Sequence, residues 1–177
     1  MATSQIIRIG SGLYQLTLHG QFAHPHWVAF LFASLADQQV SVVSGRAAQT
    51  DLQQWEACLD LDFRRSTAAP DALDYEALAR RRPPSSDLSL PRLTAFTLMR
   101  QPHGLEARLE GPDQIGFLGR LLNRVCLLGL FPVEIKIATH AGQIRDAVVF
   151  QSIGNAVPDA AVEATLRSTL QAMVTGV

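Results

Sequence analysis

From residue 13 to residue 20 (LYQLTLHG) apolar and polar positions alternate, so that Tyr14, Leu16 and Leu18 fall on one face. That is the period of a half-buried strand. An apolar segment at residues 6–9 and a turn at Gly10-Ser11-Gly12 precede it and predict a leading strand. The spacing then changes, and Trp27, Phe30, Leu31 and Leu35 recur at helical intervals. Strand-like alternation returns over residues 55–63. There Trp55, Ala57, Leu59, Leu61 and Phe63 share one face, and Glu56, Cys58, Asp60 and Asp62 the other. Pro70-Asp71 predicts the start of a further helix, because proline suits the first helical turn and an early carboxylate suits the helix dipole.

The series is written twice. Residues 105–111 (LEARLEG) repeat the alternation of residues 13–20 and its closing glycine, and Gly20 and Gly111 stand 111 − 20 = 91 positions apart. Residues 39–47 (QVSVVSGRA) lie over residues 129–137 (GLFPVEIKI) at 129 − 39 = 90. APDA at 69–72 lies over VPDA at 157–160, with Pro70 and Pro158 at 158 − 70 = 88. In the second copy Leu118, Leu121, Leu122, Val125 and Leu128 mark a helix, and Gly129 sits where a helix end favours glycine. Val133, Ile135 and Ile137 mark a strand, and Val162, Leu166, Leu170 and Met173 the stripe of a last helix opened by Pro158-Asp159. Three anchors at nearly one offset predict a duplicated unit of order ββαββα.

One-sided alternation means that one sheet face is covered. Two helices on one face of an antiparallel sheet predict an α+β fold, here two ferredoxin-like sandwiches in tandem. The leading strand of each copy is expected at the sheet edge, beside the first core strand. Residues 80–87 (RRRPPSSD) read as a helix end and a breaker-rich linker, which divides the chain into units 1–87 and 88–177.

Composition bounds the function. The chain has 177 residues, is 47% hydrophobic and 18% charged, and has a mean hydropathy of +0.12, enough apolar material for a core. A formal net charge of −1 supplies no field to recruit nucleic acid or an anionic membrane. Cys58 and Cys126 belong to no CxxC pair and read as small buried hydrophobes in a reducing compartment. No secretory pattern opens the chain, and no apolar run reaches the roughly 20 residues of a membrane span. A cytoplasmic protein without a cofactor is expected. No GxSxG elbow, HExxH pair or Cys/His nucleophile site is present, so no enzyme is expected.

The most distinctive stretch is residues 111–125 (GPDQIGFLGRLLNRV), where a strand passes through a glycine loop into a helix. A Walker A loop would place Lys and Ser/Thr where Phe117 and Leu118 stand, and a dinucleotide fingerprint needs other spacing and a parallel sheet. Asp113-Gln114-Ile115-Gly116-Phe117-Leu118 instead resembles the Asp-x-Pro-Gly-Leu-Leu signature of ACT domains. Residues 129–139 resemble that family's second strand and residues 146–150 its third. The chain is thus similar to tandem ACT regulators such as the glycine cleavage system transcriptional repressors. The resemblance implies a non-catalytic regulator that senses a small molecule, usually an amino acid, between two such domains. Asp113, Gln114, Ile115, Gly116, Phe117 and Leu118 are the implied ligand-binding residues, completed by a neighbour's strand. Amide groups at a helix N-terminus suit a carboxylate, and glycine admits a close approach. A homodimer and a regulated protein partner are implied with them; the alternative is a scaffold of the same fold with no ligand. Two departures stand out. Ile115 replaces the family's proline, and the first copy reads Gly20 to Trp27 (GQFAHPHW), with no Asp and with Trp27 expected to fill a ligand's approach.

Plainer roles compete for the same residues. Asp113 suits a helix cap, and Gly111 and Gly116 suit turns. His24 and His26 flank a proline as a metal pair would, without a third ligand. Arg80, Arg81 and Arg82 complement a helix dipole or form an anion patch. Glu134 and Lys136 belong to a solvated face or a domain contact. An RNA-binding sheet would need aromatic and basic residues patterned on the open faces of its first and third strands, a pattern that residues 145–150 (RDAVVF) lack.

Overall fold

The computed structural model describes residues 2–51, 53–81 and 89–176. Its elements are β1 (Thr3–Gly10), β2 (Leu13–Gln21), α1 (Trp27–Asp37), β3 (Ser41–Asp51), β4 (Gln54–Asp62), α2 (Tyr75–Arg80), β5 (Ala95–Gln101), β6 (Gly104–Pro112), α3 (Phe117–Cys126), β7 (Leu130–His140), β8 (Gln143–Ser152) and α4 (Ala160–Thr175). The strands form one antiparallel sheet of eight, in the order β1-β2-β4-β3-β7-β8-β6-β5. The leading strands β1 and β5 are the two outer edges. The proposed boundary between residues 87 and 88, with most of its linker, lies outside the described residues.

The sheet order is a palindrome about the β3–β7 pair. Within that pair Arg46 lies opposite Lys136, and these are the residues that the offset of 136 − 46 = 90 equates. A strand pairing antiparallel with its own duplicate, register centred on equivalent residues, generates a local two-fold axis. The two halves are therefore joined as two copies of a symmetric dimer would be.

Alternation decides which face is covered. Leu16 and Leu18 of β2, Leu59 and Leu61 of β4, Ile135 of β7 and Val148 and Phe150 of β8 are all buried in one apolar cluster with the helices. The opposite face is polar. Asp60 Oδ1 accepts from Gln15 Nε2 at 3.1 Å and Oδ2 from Ser44 Oγ at 2.6 Å, and Lys136 pairs with Glu134 at 2.9 Å. Glu134 and Lys136 thus combine both of their readings, on a solvated face of the strand that joins the halves.

The helices show where duplication has drifted. α1 is buried nearly all round, from Trp27 to Leu35, as suits a helix enclosed by the sheet, α2 and α3. α3 buries only one side, through Phe117, Leu118, Leu121, Leu122 and Val125. The two cross closely because of Gly119: a Cβ there would stand 2.8 Å from the Ala33 nitrogen. In the second copy Asp159 caps α4, accepting the Val162 N–H at 2.8 Å. The expected counterpart at Pro70-Asp71 is corrected. Those residues form only a three-residue 3-10 turn, and α2 starts later, capped by Asp74, which accepts the Ala77 N–H at 2.9 Å. The cysteines are also corrected, being half-buried rather than buried; burial still pushes the Cys126 thiol up to about 12. Arg80 pairs with Glu76 one turn away at 3.5 Å.

Candidate functional site

The loop between β6 and α3 is fixed by its backbone. Asp113 N–H donates to the Gly142 carbonyl at 2.8 Å, which ties the loop to the β7–β8 turn. Gln114 clamps it from the other side: its Nε2 donates to the Arg92 carbonyl at 3.1 Å and its Oε1 accepts from Arg92 N–H at 3.4 Å. Gly116 then enters the left-handed region at φ +77°, where a side chain would also press on Ala36. Gly116 occupies the cap position of α3, so the helix-cap role weighed for Asp113 is not what the structure has. Gly111 is no turn residue either. It lies within β6 opposite Ile144, and a Cβ there would stand 2.9 Å from the Arg92 carbonyl as that segment crosses the strand.

Two spaces meet at this loop. The inner one is a cavity of about 30 Å³, lined by Asp113, Gln114, Gly116, Phe117 and Leu118 from the second half and by Phe32, Val40, Ser41 and Val42 from the first. The outer one is a cleft of about 660 Å³ lined by Gln39, Ser41, Asp62, Arg64, Arg65, Asp113, Ile115 and Thr139 among others. Ser41, Asp113 and Thr139 line both. Of the six residues singled out in the sequence, Phe117 and Leu118 are buried in the core at the cavity wall. Asp113 is exposed at the mouth, and Ile115 faces the cleft.

The charges are arranged across the cleft. Arg64 grips Asp62 through Nε, at 2.9 Å and 3.0 Å to the two carboxylate oxygens, which holds that carboxyl below its ordinary range. Desolvation by the surrounding walls raises the Asp113 carboxyl, against the opposing charge of Arg65 and with that of Asp62. At the cavity floor lies Asp146, only 3% exposed, with Oδ1 accepting the Ala138 N–H at 3.1 Å. Burial pushes this carboxyl up to about 7, and the charge of Asp113 adds to the shift. Thr139 Oγ1 is buried beside the same cavity with no hydrogen-bond partner among the described residues.

Asp146, Thr139, Ser41, Arg64 and Arg65 were not singled out in the sequence. A signal did exist for Asp146, because it occupies a core-facing place in the alternation Ile144, Asp146, Val148, Phe150. A carboxylate there is out of place for a packing residue. The other four arrive from distant segments and carry no local mark.

The duplicate of this junction is built from different material. Phe22 takes the place of Asp113, Phe131 that of Ser41, Gln49 that of Thr139 and Trp55 that of Ile144, around a cavity of about 290 Å³. Trp27 does not fill this approach as the sequence implied. It is 1% exposed, stacked on Phe22 at 4.0 Å and edge-on to Trp55 at 5.3 Å, and forms the core beneath the cavity. His26 packs across the halves, edge-on to Phe131 at 4.9 Å. Among the described residues no three His, Cys, Asp or Glu side chains gather as a metal site would require, and no helix is long and apolar enough to cross a membrane.

No protein-family model matches the chain, and no curated protein matches it in sequence. In fold it is similar to the crystal structure of aspartate kinase from Synechocystis, with a TM-score of 0.53 and 17% identity, over 93% of this chain and 27% of that one. The chain therefore spans about a quarter of the kinase's length. At this identity the likeness speaks for the fold alone, an α+β arrangement with, among the described residues, one antiparallel sheet and four helices.

Proposed function

We propose that the protein is a non-catalytic sensor of a small amino acid, bound where the β6–α3 loop of the second half meets β3 of the first. One observation carries the reading: a loop from one half and a strand from the other enclose a site that neither half would form alone. Its charges suit a zwitterion. Arg65 favours a carboxylate, and Asp113 an ammonium group. A ligand-induced change at this junction would pass to a protein partner or to a second copy of the chain, since the loop, β3 and both central helices meet there.

Thermal unfolding in the presence of each common amino acid tests this directly. A ligand at 100 times its Kd is expected to add about 2.7 kcal/mol of stability. Arg65→Ala should abolish that gain. If no amino acid shifts the transition, the sensor reading falls and the same fold is left as a scaffold.

A further inference from the structure

The inner cavity has a property that packing does not explain. Most of its wall is apolar, with Phe32, Val40, Val42, Phe117, Leu118, Ile137 and Ile144. Into this wall the fold sets a carboxylate, Asp146, and an orphaned hydroxyl, Thr139 Oγ1. A buried carboxylate and an unpaired hydroxyl each cost free energy unless something donates to them or accepts from them. The volume, about 30 Å³, admits a single small polar group and nothing larger. The equivalent of Asp146 in the first half is Ala57, since Leu109 pairs with Asp146 as Leu18 pairs with Ala57. The shared scaffold therefore does not require an acid at this place.

We infer that Asp146, with Thr139, selects the ligand: the site takes an amino acid whose side chain carries a hydrogen-bond donor, a hydroxyl or an ammonium group, and seats that donor in the inner cavity. The charged α-carbon end then lies in the outer cleft between Asp113 and Arg65, and Ser41, Asp113 and Thr139 form the neck between the two spaces. The inference rests on the junction being an amino-acid site. It adds which side chains that site accepts. A raised carboxyl is consistent with it, because burial outweighs the one N–H that Ala138 donates to it.

Titration calorimetry on the full chain tests it with two near-isosteric pairs, L-threonine against L-valine and L-ornithine against L-norleucine. The pairs also separate a hydroxyl donor from an ammonium donor. The wild type is expected to bind the donor member of one pair at least about 10-fold more tightly than its apolar partner, as sites built to hydrogen-bond a ligand group do. Asp146→Leu, close to Asp in shape, should bring that ratio within about 3-fold. Thr139→Val should lower the ratio in the same direction, and it decides the matter if Asp146→Leu does not fold. If the donor and apolar members bind the wild type equally, or if both variants keep the ratio, selection by Asp146 is overturned while the amino-acid site stands. If no probe, and no other common amino acid, binds the wild type, the site and the selection fall together.

Discussion

The two junctions between the halves share a backbone and little else. At one, Asp113, Ser41, Thr139 and Asp146 give a polar neck over a cavity of about 30 Å³, with charged side chains outside. At the other, Phe22, Phe131 and Trp55 line a cavity of about 290 Å³ above Trp27, with Ala57 where the acid would be. The scaffold fixes where a loop, a strand start and a helix N-terminus converge; it does not fix what they converge upon. After duplication each copy needs only to keep its covered face apolar and its central strand free to pair. The lining is left to diverge. One junction has gone toward aromatic packing, with the Trp27 indole N–H left buried beneath it, and the other toward a buried carboxylate and an unpaired Thr139 hydroxyl at the cavity itself.

If that contrast is right, the helix starts should respond unequally to truncation. Trp27→Ala removes an aromatic that stacks on Phe22 and meets Trp55 edge-on, and is expected to cost about 3–5 kcal/mol. Phe117→Ala, at the equivalent place, loses no such ring contacts and should cost less by about 1 kcal/mol. Chemical denaturation of both variants measures this, and a larger loss at Phe117 would contradict the aromatic-packing account.

The next largest effect is in pH. The Asp146 carboxyl is held up to about 7 in the folded chain, against roughly 3.9 for an unfolded Asp. The folded state therefore binds more protons than the unfolded one across that window. Stability should fall as pH climbs from about 4 to about 7 and level off above, by a few kcal/mol at most. The raised Asp113 acts in the same direction. Asp62, held down by Arg64, acts oppositely: its contribution is present above its unfolded value and is lost as pH falls. Asp146→Asn should flatten the slope and exceed the wild type in urea midpoint at pH 8. A difference between the two proteins that stays constant from pH 4.5 to pH 8 would show that the carboxyl is not desolvated in this way.

Much of the fold was written in the alternation, because a half-buried strand must place every second residue in the core. Leu105, Ala107 and Leu109 lie buried in that period, as do Trp55 to Phe63 at every second place. The offset of 90 equated Arg46 with Lys136, the residues that the structure then sets opposite each other. What stayed hidden depended on distant segments. That β3 would pair with β7 is set by two strand edges, each of which looks ordinary alone. Pro70-Asp71 carried the same local signal as Pro158-Asp159, yet α2 begins only at Tyr75, with Asp74 as its cap. The loop at residues 113–118 was visible as a loop into a helix. Arg64, Arg65 and Ser41 were not visible as its neighbours, since nothing local links them to it.

Two smaller predictions test what holds the polar junction in shape. Gly119→Ala puts a methyl about where Ala33 nitrogen stands 2.8 Å away. The strain of overpacking, about 1–3 kcal/mol, should outweigh the roughly 1 kcal/mol that alanine gains over glycine in a helix. Net destabilisation in thermal unfolding is expected, and a gain would mean that α1 and α3 can part without cost.

Gln114→Ala should have the smallest effect on stability and the most local one. In the first half the equivalent residue, at 114 − 91 = 23, is already Ala23, so the change converts one loop toward its counterpart. It removes the side chain's bonds to Arg92 N–H and carbonyl, worth about 1 kcal/mol together where the groups are partly open to water. The cost should appear in the loop rather than in global unfolding, because Asp113 N–H to the Gly142 carbonyl and the left-handed Gly116 still fix its two ends. Amide exchange is therefore expected to quicken at residues 113–116 and stay unchanged along Leu121, Leu122 and Val125 in the buried face of α3. If exchange quickens along the helix as well, the clamp supports the helix start itself, and the loop and α3 move as one unit at this junction.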